Sequence, residues 1–138
     1  MNQEIEFPVP DSVSKARQAV QSADGIWFFT PEYNYSYPGL LKNLLDWLSR
    51  PLKANDFASG TAVSGKKAAI SGIGGKFKTE GARAKLKELL EFIKMNILPE
   101  STGAAANAEA WSGGSLILYE ETKASLKKQA ESFLSFIS

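Results

Sequence analysis

Apolar positions recur at helical spacing in four stretches of the chain and run continuously in two others. After the turn-rich "FPVPD", Val13, Ala16, Val20 and Ala23 share one face of a segment that runs to about Ser22. Asp11 or Ser12 is placed to cap it. "DGIWFFT", Asp24 to Thr30, is then a short unbroken apolar run. Unbroken rather than alternating apolarity predicts a strand covered on both faces, as in parallel sheets. Pro38-Gly39 opens the next helix, where Leu40, Leu41, Leu44, Leu45 and Leu48 make a wide apolar face with Trp47 at its edge. Asp46 and Arg50 stand at i,i+4 in the favourable order, and Pro51 ends the helix.

Residues 52–66 show no periodicity and read as a loop. "KAAISGIGG", Lys67 to Gly75, is a second continuous apolar run that ends in glycines. "TEGARAKLKELLEFIKMN" is a long helix with Ala82, Leu86, Leu89, Leu90 and Ile93 on one face. "ILPESTGAAA" carries a weak signal for a short third strand, and the state of "SLILY" is left open by its pattern. "EETKASLKKQAESFLSFI" is a closing helix that aligns Leu126, Ala130, Phe133, Leu134 and Ile137. Helices alternating with strands in this order predict an α/β fold with a parallel sheet and right-handed crossovers. Ligands of such sheets bind outside the carboxyl ends of the strands. "TPEYN" and "SGIGG" both fall there, after consecutive strands, so they can face one ligand.

Composition narrows the chemistry. The chain has 138 residues, the length of one domain. Its 16 Lys+Arg against 15 Asp+Glu leave a net charge of +1, so nothing points to nucleic acid or an anionic membrane surface. There is no cysteine and no histidine. That removes a thiol nucleophile, a disulfide, a Ser-His-Asp triad and a Cys/His zinc site. No DxDxDG-type loop is present either, so no metal site is assigned. "MNQEIEFPVPD" has neither a basic n-region nor an apolar h-region, and no apolar run approaches the ~18 residues of a membrane span. A cytoplasmic location is the expectation.

The two loops admit more than one reading on their residues alone. In "PEYN", Pro31 stiffens the chain and Asn34 tolerates turn geometry. Tyr33, Tyr35 and Tyr37 offer flat apolar faces with polar tips. Fixed backbone donors beside flat surface suit a planar heteroaromatic ligand. The same residues equally describe a strand-to-helix turn whose tyrosines plug a gap, or an interface loop. In "SGIGGKFK" the glycines allow close backbone approach, and Lys76 and Lys78 could meet a phosphate. A lone GxGG is also a common glycine turn after a strand.

Taken together, "TPEYNYSYPGLLKNLLDWLSRP" and "SGKKAAISGIGGK" resemble the signature segments of the NADPH-dependent FMN reductase family. These are flavodoxin-like proteins that include quinone, chromate and azo-dye reductases. "SKARQAVQSADGIWFF" and "GARAKLKELLEFI" extend the resemblance over nearly the whole chain. It implies a flavodoxin-like sandwich with a parallel sheet, FMN and NADPH as cofactors, and a small-molecule electron acceptor. Pro31, Glu32, Tyr33 and Asn34 match the loop that contacts the isoalloxazine ring. Gly72, Gly74 and Gly75 match the loop on its other side, and the helix from Leu40 to Ser49 matches a homo-oligomerisation helix. Hydride transfer through a flavin needs no protein acid or base, so no catalytic residue is assigned and Glu32 is expected to be structural. The family's first strand, its phosphate-binding loop, its first helix and its second strand have no counterpart in residues 1–138. The chain is therefore expected to form a single flavodoxin-like domain incomplete at its N-terminus, with an unpaired edge on "GIWFF" and weak hold on FMN. Three readings follow: a reductase, a non-catalytic oligomerisation or interaction module without flavin, and a binder of another planar ligand.

Overall fold

A computed structural model describes residues 1–138. Helix α1 (Asp11–Ser22) leads into strand β1 (Gly25–Thr30) and helix α2 (Gly39–Leu48). A small hairpin of β2 (Pro51–Lys53) and β3 (Asp56–Thr61) follows, then β4 (Lys67–Gly74) and α3 (Glu80–Phe92). The chain closes with β5 (Asn96–Ala105), the single-turn α4 (Ala108–Trp111) and α5 (Glu120–Ile137). Strands β1, β4 and β5 form one parallel sheet in that order, with Thr30 opposite Gly72 and Gly72 opposite Gly103. Their carboxyl ends are therefore level.

Side chains alternate across the sheet, and both faces are apolar, which is why the two strand sequences read as unbroken runs. Ile26, Phe28, Ala68 and Ile70 point to the face covered by α1, α2 and α3, where Leu45, Leu48, Leu86 and Leu90 complete the main core. Trp27 and Ala69 point to the other face, where Leu98 and the α5 residues Phe133, Phe136 and Ile137 meet them. Strand β1 has a single neighbour, β4, so its other edge is open. Phe29, at 68% exposure, stands on that strand with its ring stacked on Trp27.

Four local expectations are corrected. Residues 52–66 are more than a loop. Lys53 pairs with Asp56 across a turn in which Asn55 takes φ 57°, and Ala62 and Val63 are fully buried in the main core. The pattern hid this because the hairpin is built by turn chemistry rather than by alternation. The weak third strand is ten residues long, β5, despite Pro99. Pro99 falls in a register shift between Ala68 and Ile70, where the missing N–H removes no ladder bond. Gln129, 2% exposed, donates to the carbonyls of Ile70 and Glu100 beside this bulge and accepts from Ser71, which in turn accepts from Trp27 Nε1. Asp46 does not pair with Arg50: it pairs with Lys42 at 2.8 Å, and Arg50 holds the buried Glu6 through Nε and Nη2. Helix α1 begins at Asp11, yet neither Asp11 nor Ser12 caps it, since Pro10 is the N-cap residue.

Candidate functional site

The segment after β1 folds back as a tight turn. The Tyr33 N–H donates to the Ser36 carbonyl at 2.8 Å, and the Ser36 N–H returns a bond to the Tyr33 carbonyl. The two residues between them, Asn34 and Tyr35, have φ of 49° and 61°. Positive φ at both central positions is the requirement of a type I′ turn. Asn tolerates it, whereas for a tyrosine it costs about 1 kcal/mol or more. Something outside the turn must hold Tyr35 there.

That support is the first turn of α3. Thr79, the N-cap residue of α3, has φ 58° and makes no side-chain cap; its hydroxyl donates instead to the Lys78 carbonyl. The missing acceptor comes from another element. Glu32 Oε2 accepts from the Ala82 N–H at 2.8 Å, so a carboxylate sits at the positive end of the helix. The ring of Tyr35 lies on Gly81: a Cβ there would meet ring carbons at 2.5 Å. The glycine loop meets the same turn, because the Cβ positions of Gly72 and Gly74 are filled by Thr79. Gly75 faces open space, and the N–H groups of Gly75, Lys76 and Phe77 donate to no protein acceptor.

The seven residues singled out from sequence therefore divide. Glu32, Gly72 and Gly74 are engaged with α3. Pro31 is half-buried at the base of the turn. Tyr33, Asn34 and Gly75 are exposed above it. Together they make an open shelf over the carboxyl ends of β1 and β4. The three tyrosines of the loop also part company. Tyr37 packs against the main core, Tyr35 lays one side of its ring on α3 while 61% of its surface stays exposed, and Tyr33 is 63% exposed. Lys76 turns its ammonium toward the Phe77 ring, 4.9 Å from the centroid.

Two concavities flank the shelf. A groove of about 540 Å³ runs along the open edge of β1 between α1 and α2, past Phe29, Leu40, Leu44 and Trp47. A cavity of about 300 Å³ lies on the other face, between Gly72 and Leu116, Leu118 and Leu126. Phe29, Thr30 and Pro31 form the wall between them.

Two supporting residues escaped the sequence reading. Arg83, on α3, holds the Lys78 and Ser101 carbonyls and lies where a side chain on Gly103 would go. Burial pulls its guanidinium pKa below the ordinary value, and the carboxylates of Glu80 and Glu32 oppose that shift. Asn107 is buried at the end of β5. Its side chain accepts from the Ile117 N–H and donates to the Ser115 carbonyl and to Glu109, tying "SLILY" down as an extended strap without regular structure. An isolated Asn after "GAAA" was the signal for it.

Residues 1–110 match the family described as NADPH-dependent FMN reductase. An NAD(P)H-dependent FMN reductase of Pseudomonas aeruginosa is 41% identical over 90 residues, which are 64% of this chain and 45% of that protein. An NADPH:quinone oxidoreductase of Arabidopsis thaliana is 33% identical over 136 residues, 96% of this chain and 65% of its own length. Among solved structures, FerB, a flavoenzyme NAD(P)H:(acceptor) oxidoreductase from Paracoccus denitrificans, superimposes with a TM-score of 0.81 at 30% identity, over 99% of this chain and 73% of that one. A short-chain flavodoxin aligns with a TM-score of 0.56 at 17% identity, a likeness of fold. The chain belongs to the NADPH-dependent FMN reductase family and has its flavodoxin-like fold. It spans less than two thirds of the length of these two sequence relatives. No helix is long and apolar enough to cross a membrane.

The Glu32 bond gives a direct test. Glu32→Ala should lower unfolding free energy by about 1 kcal/mol, the usual cost of losing a helix-capping acceptor. Glu32→Gln, which keeps an acceptor but no charge, should recover part of it. Urea unfolding of the three proteins measures this, and an unchanged midpoint for Glu32→Ala would show the bond to be idle.

Proposed function

We propose that this chain carries the flavin-ring site of an NAD(P)H-dependent reductase of the FMN and quinone type. The observation that carries the reading is the shelf: two loops on adjacent strand ends, locked to one helix turn, with backbone donors left unpaired and a glycine facing open space. A planar ring with carbonyl and ring-nitrogen acceptors fits that donor set. FMN held there would supply two-electron hydride chemistry between a nicotinamide and an acceptor such as a quinone. The residues of the chain bind and orient. Pro31 fixes the direction of the turn, and Tyr33 and Asn34 stand free above it. The N–H groups of Gly75, Lys76 and Phe77 donate to no protein acceptor and are free to meet a ligand, and Gly75 lets a ring approach the backbone closely. Glu32 is engaged with the Ala82 N–H, so it orders the loop rather than moving a proton.

The exposed N–H groups and the absence of side-chain crowding at Gly75 define the probe variants. Gly74→Val would collide with Thr79 and unsettle the loop itself, so Gly75→Val is the cleaner change. Asn34→Ala and Gly75→Val should each weaken FMN binding about tenfold or more without lowering the melting temperature by more than a few degrees. The loops offer ring contacts and Lys76 is drawn to Phe77, so phosphate contacts worth about 1.5–3 kcal/mol each are not supplied by them. The 138-residue chain should accordingly bind FMN at micromolar strength or weaker. Fluorescence titration measures all three proteins; full affinity in both variants would place the site elsewhere, and nanomolar binding by the wild type would refute the expectation of weak binding.

Helix α2 is proposed as a subunit contact. Its Leu45, Trp47 and Leu48 are buried within the chain, and the Trp47 carbonyl accepts from Arg17, so Trp47 belongs to the fold rather than to an interface. Leu40, 82% exposed, and Leu44 are the residues left to meet a second copy. Leu40→Glu should convert a homo-oligomer to monomers in sedimentation or light scattering. A monomeric wild type, or an unchanged oligomer in the variant, would refute the assignment. The open groove along β1 is the observation that favours the second reading, an interaction module without flavin. A purified protein that shows no saturable flavin binding but a stable oligomer would select it.

A further inference from the structure

The geometry points to Tyr35 and Gly81 as a clasp that positions the ring-facing loop. This rests on the flavin-site reading above and adds two residues to it that do not themselves face the shelf. A tyrosine at φ 61° is held in a conformation that its Cβ disfavours, and a glycine in the first turn of an exposed-to-buried helix weakens that helix relative to alanine. Each of the two is locally the wrong residue. They are explained together, because the ring of Tyr35 occupies the space a side chain at Gly81 would take, with Cδ2 and Cε2 at 2.5 Å and Cγ at 2.7 Å from that position.

Lys85 completes the arrangement. Gly81 and Lys85 stand at i,i+4 on one face of α3, and Lys85 Nζ lies 5.0 Å from the Tyr35 ring centroid. The ring therefore lies along the helix, over the glycine and within reach of the ammonium. One residue earlier in the turn is Asn34, and three earlier is Glu32, bonded to the Ala82 N–H. The loop is thus gripped on both sides of its exposed residues, by Glu32 before and by Tyr35 after, and both grips close on adjacent residues of α3. Tyr33 and Asn34 are the free span between them. Thr79, one helix position before Glu80, holds Gly72 and Gly74 in the same way. The separation of the two loops is then set by a single helix turn, and Tyr35 on Gly81 is the contact that fixes the far end of the first loop.

The clasp is tested by substitution at both of its faces. Gly81→Ala must push the ring away. Tyr35→Asn keeps a residue that tolerates positive φ and removes the ring, while Tyr35→Phe keeps the ring and removes the hydroxyl. Amide exchange at Ser36 and Ala82 reads the loop without any ligand. It should speed up in Gly81→Ala and Tyr35→Asn and stay as in the wild type in Tyr35→Phe. FMN titration reads positioning. Gly81→Ala should bind about tenfold more weakly, as expected if the ordered loop falls to roughly a tenth of the population, and Tyr35→Phe should bind as the wild type does. Within the Tyr35→Asn background, adding Gly81→Ala should change neither quantity, because the ring it displaces is gone. Unchanged exchange in Gly81→Ala would overturn the clasp. Faster exchange with unaltered FMN affinity would overturn its positioning role. A wild type that binds no FMN would sink the flavin reading instead and leave the clasp to be judged by exchange.

Discussion

The first turn of α3 is the constraint on which the candidate site depends. A helix start leaves backbone N–H groups without intrahelical partners, and here the N-cap side chain does not answer them, since the Thr79 hydroxyl is turned to its neighbour's carbonyl. A carboxylate from the loop after β1 answers instead. The same turn presents a glycine to the ring of Tyr35 and a threonine to the bare backbone of Gly72 and Gly74. Without the helix start, Glu32, Tyr35 and the bare backbone of Gly72 and Gly74 lose the contacts that anchor them. Placed where it is, it converts two level strand ends into one surface.

The sheet beneath explains why that surface can be exposed without unravelling the fold. The main core on the α1–α2–α3 side buries Leu45, Ile70, Leu86 and Leu90 almost completely. On the other face, the Trp27–Ser71–Gln129 series of hydrogen bonds carries polar groups through an apolar layer and reaches the carbonyls at the Pro99 bulge. A buried polar series of this kind is favourable only when its members are satisfied. Gln129 and Ser71 both are.

Much of this was legible in the sequence, and the particular failures are physical. The helices and the two apolar strands follow from periodicity, and the loops "TPEYN" and "SGIGG" fall at strand carboxyl ends as expected. The family resemblance rests on the same blocks that the family match covers. What periodicity could not show was the reason for each loop residue. Gly72 and Gly74 read as room for a ligand, yet their space is taken by Thr79, a residue outside the motif. Tyr35 read as a flat face for a ligand, yet its ring lies on a glycine 46 positions further on. The β2–β3 hairpin and the full length of β5 were missed because turn chemistry and a proline bulge, rather than alternation, define them. Asp46 and Arg50 satisfy an i,i+4 rule but find nearer partners in Lys42 and Glu6, and such long-range choices are not written in local spacing.

On the reading proposed above, the ring of a flavin meets this chain on the shelf made by residues 31–34 and 72–77. Amide chemical shifts of the isotope-labelled 138-residue protein, followed while FMN and then riboflavin are added, test it most directly. Both ligands should move the same signals, from Glu32 to Tyr35 and from Gly74 to Phe77, because these loops contact the ring and not the phosphate. Shifts confined to the β1-edge groove or to the strap from Ser115 to Tyr119, or shifts that require the phosphate, would contradict it.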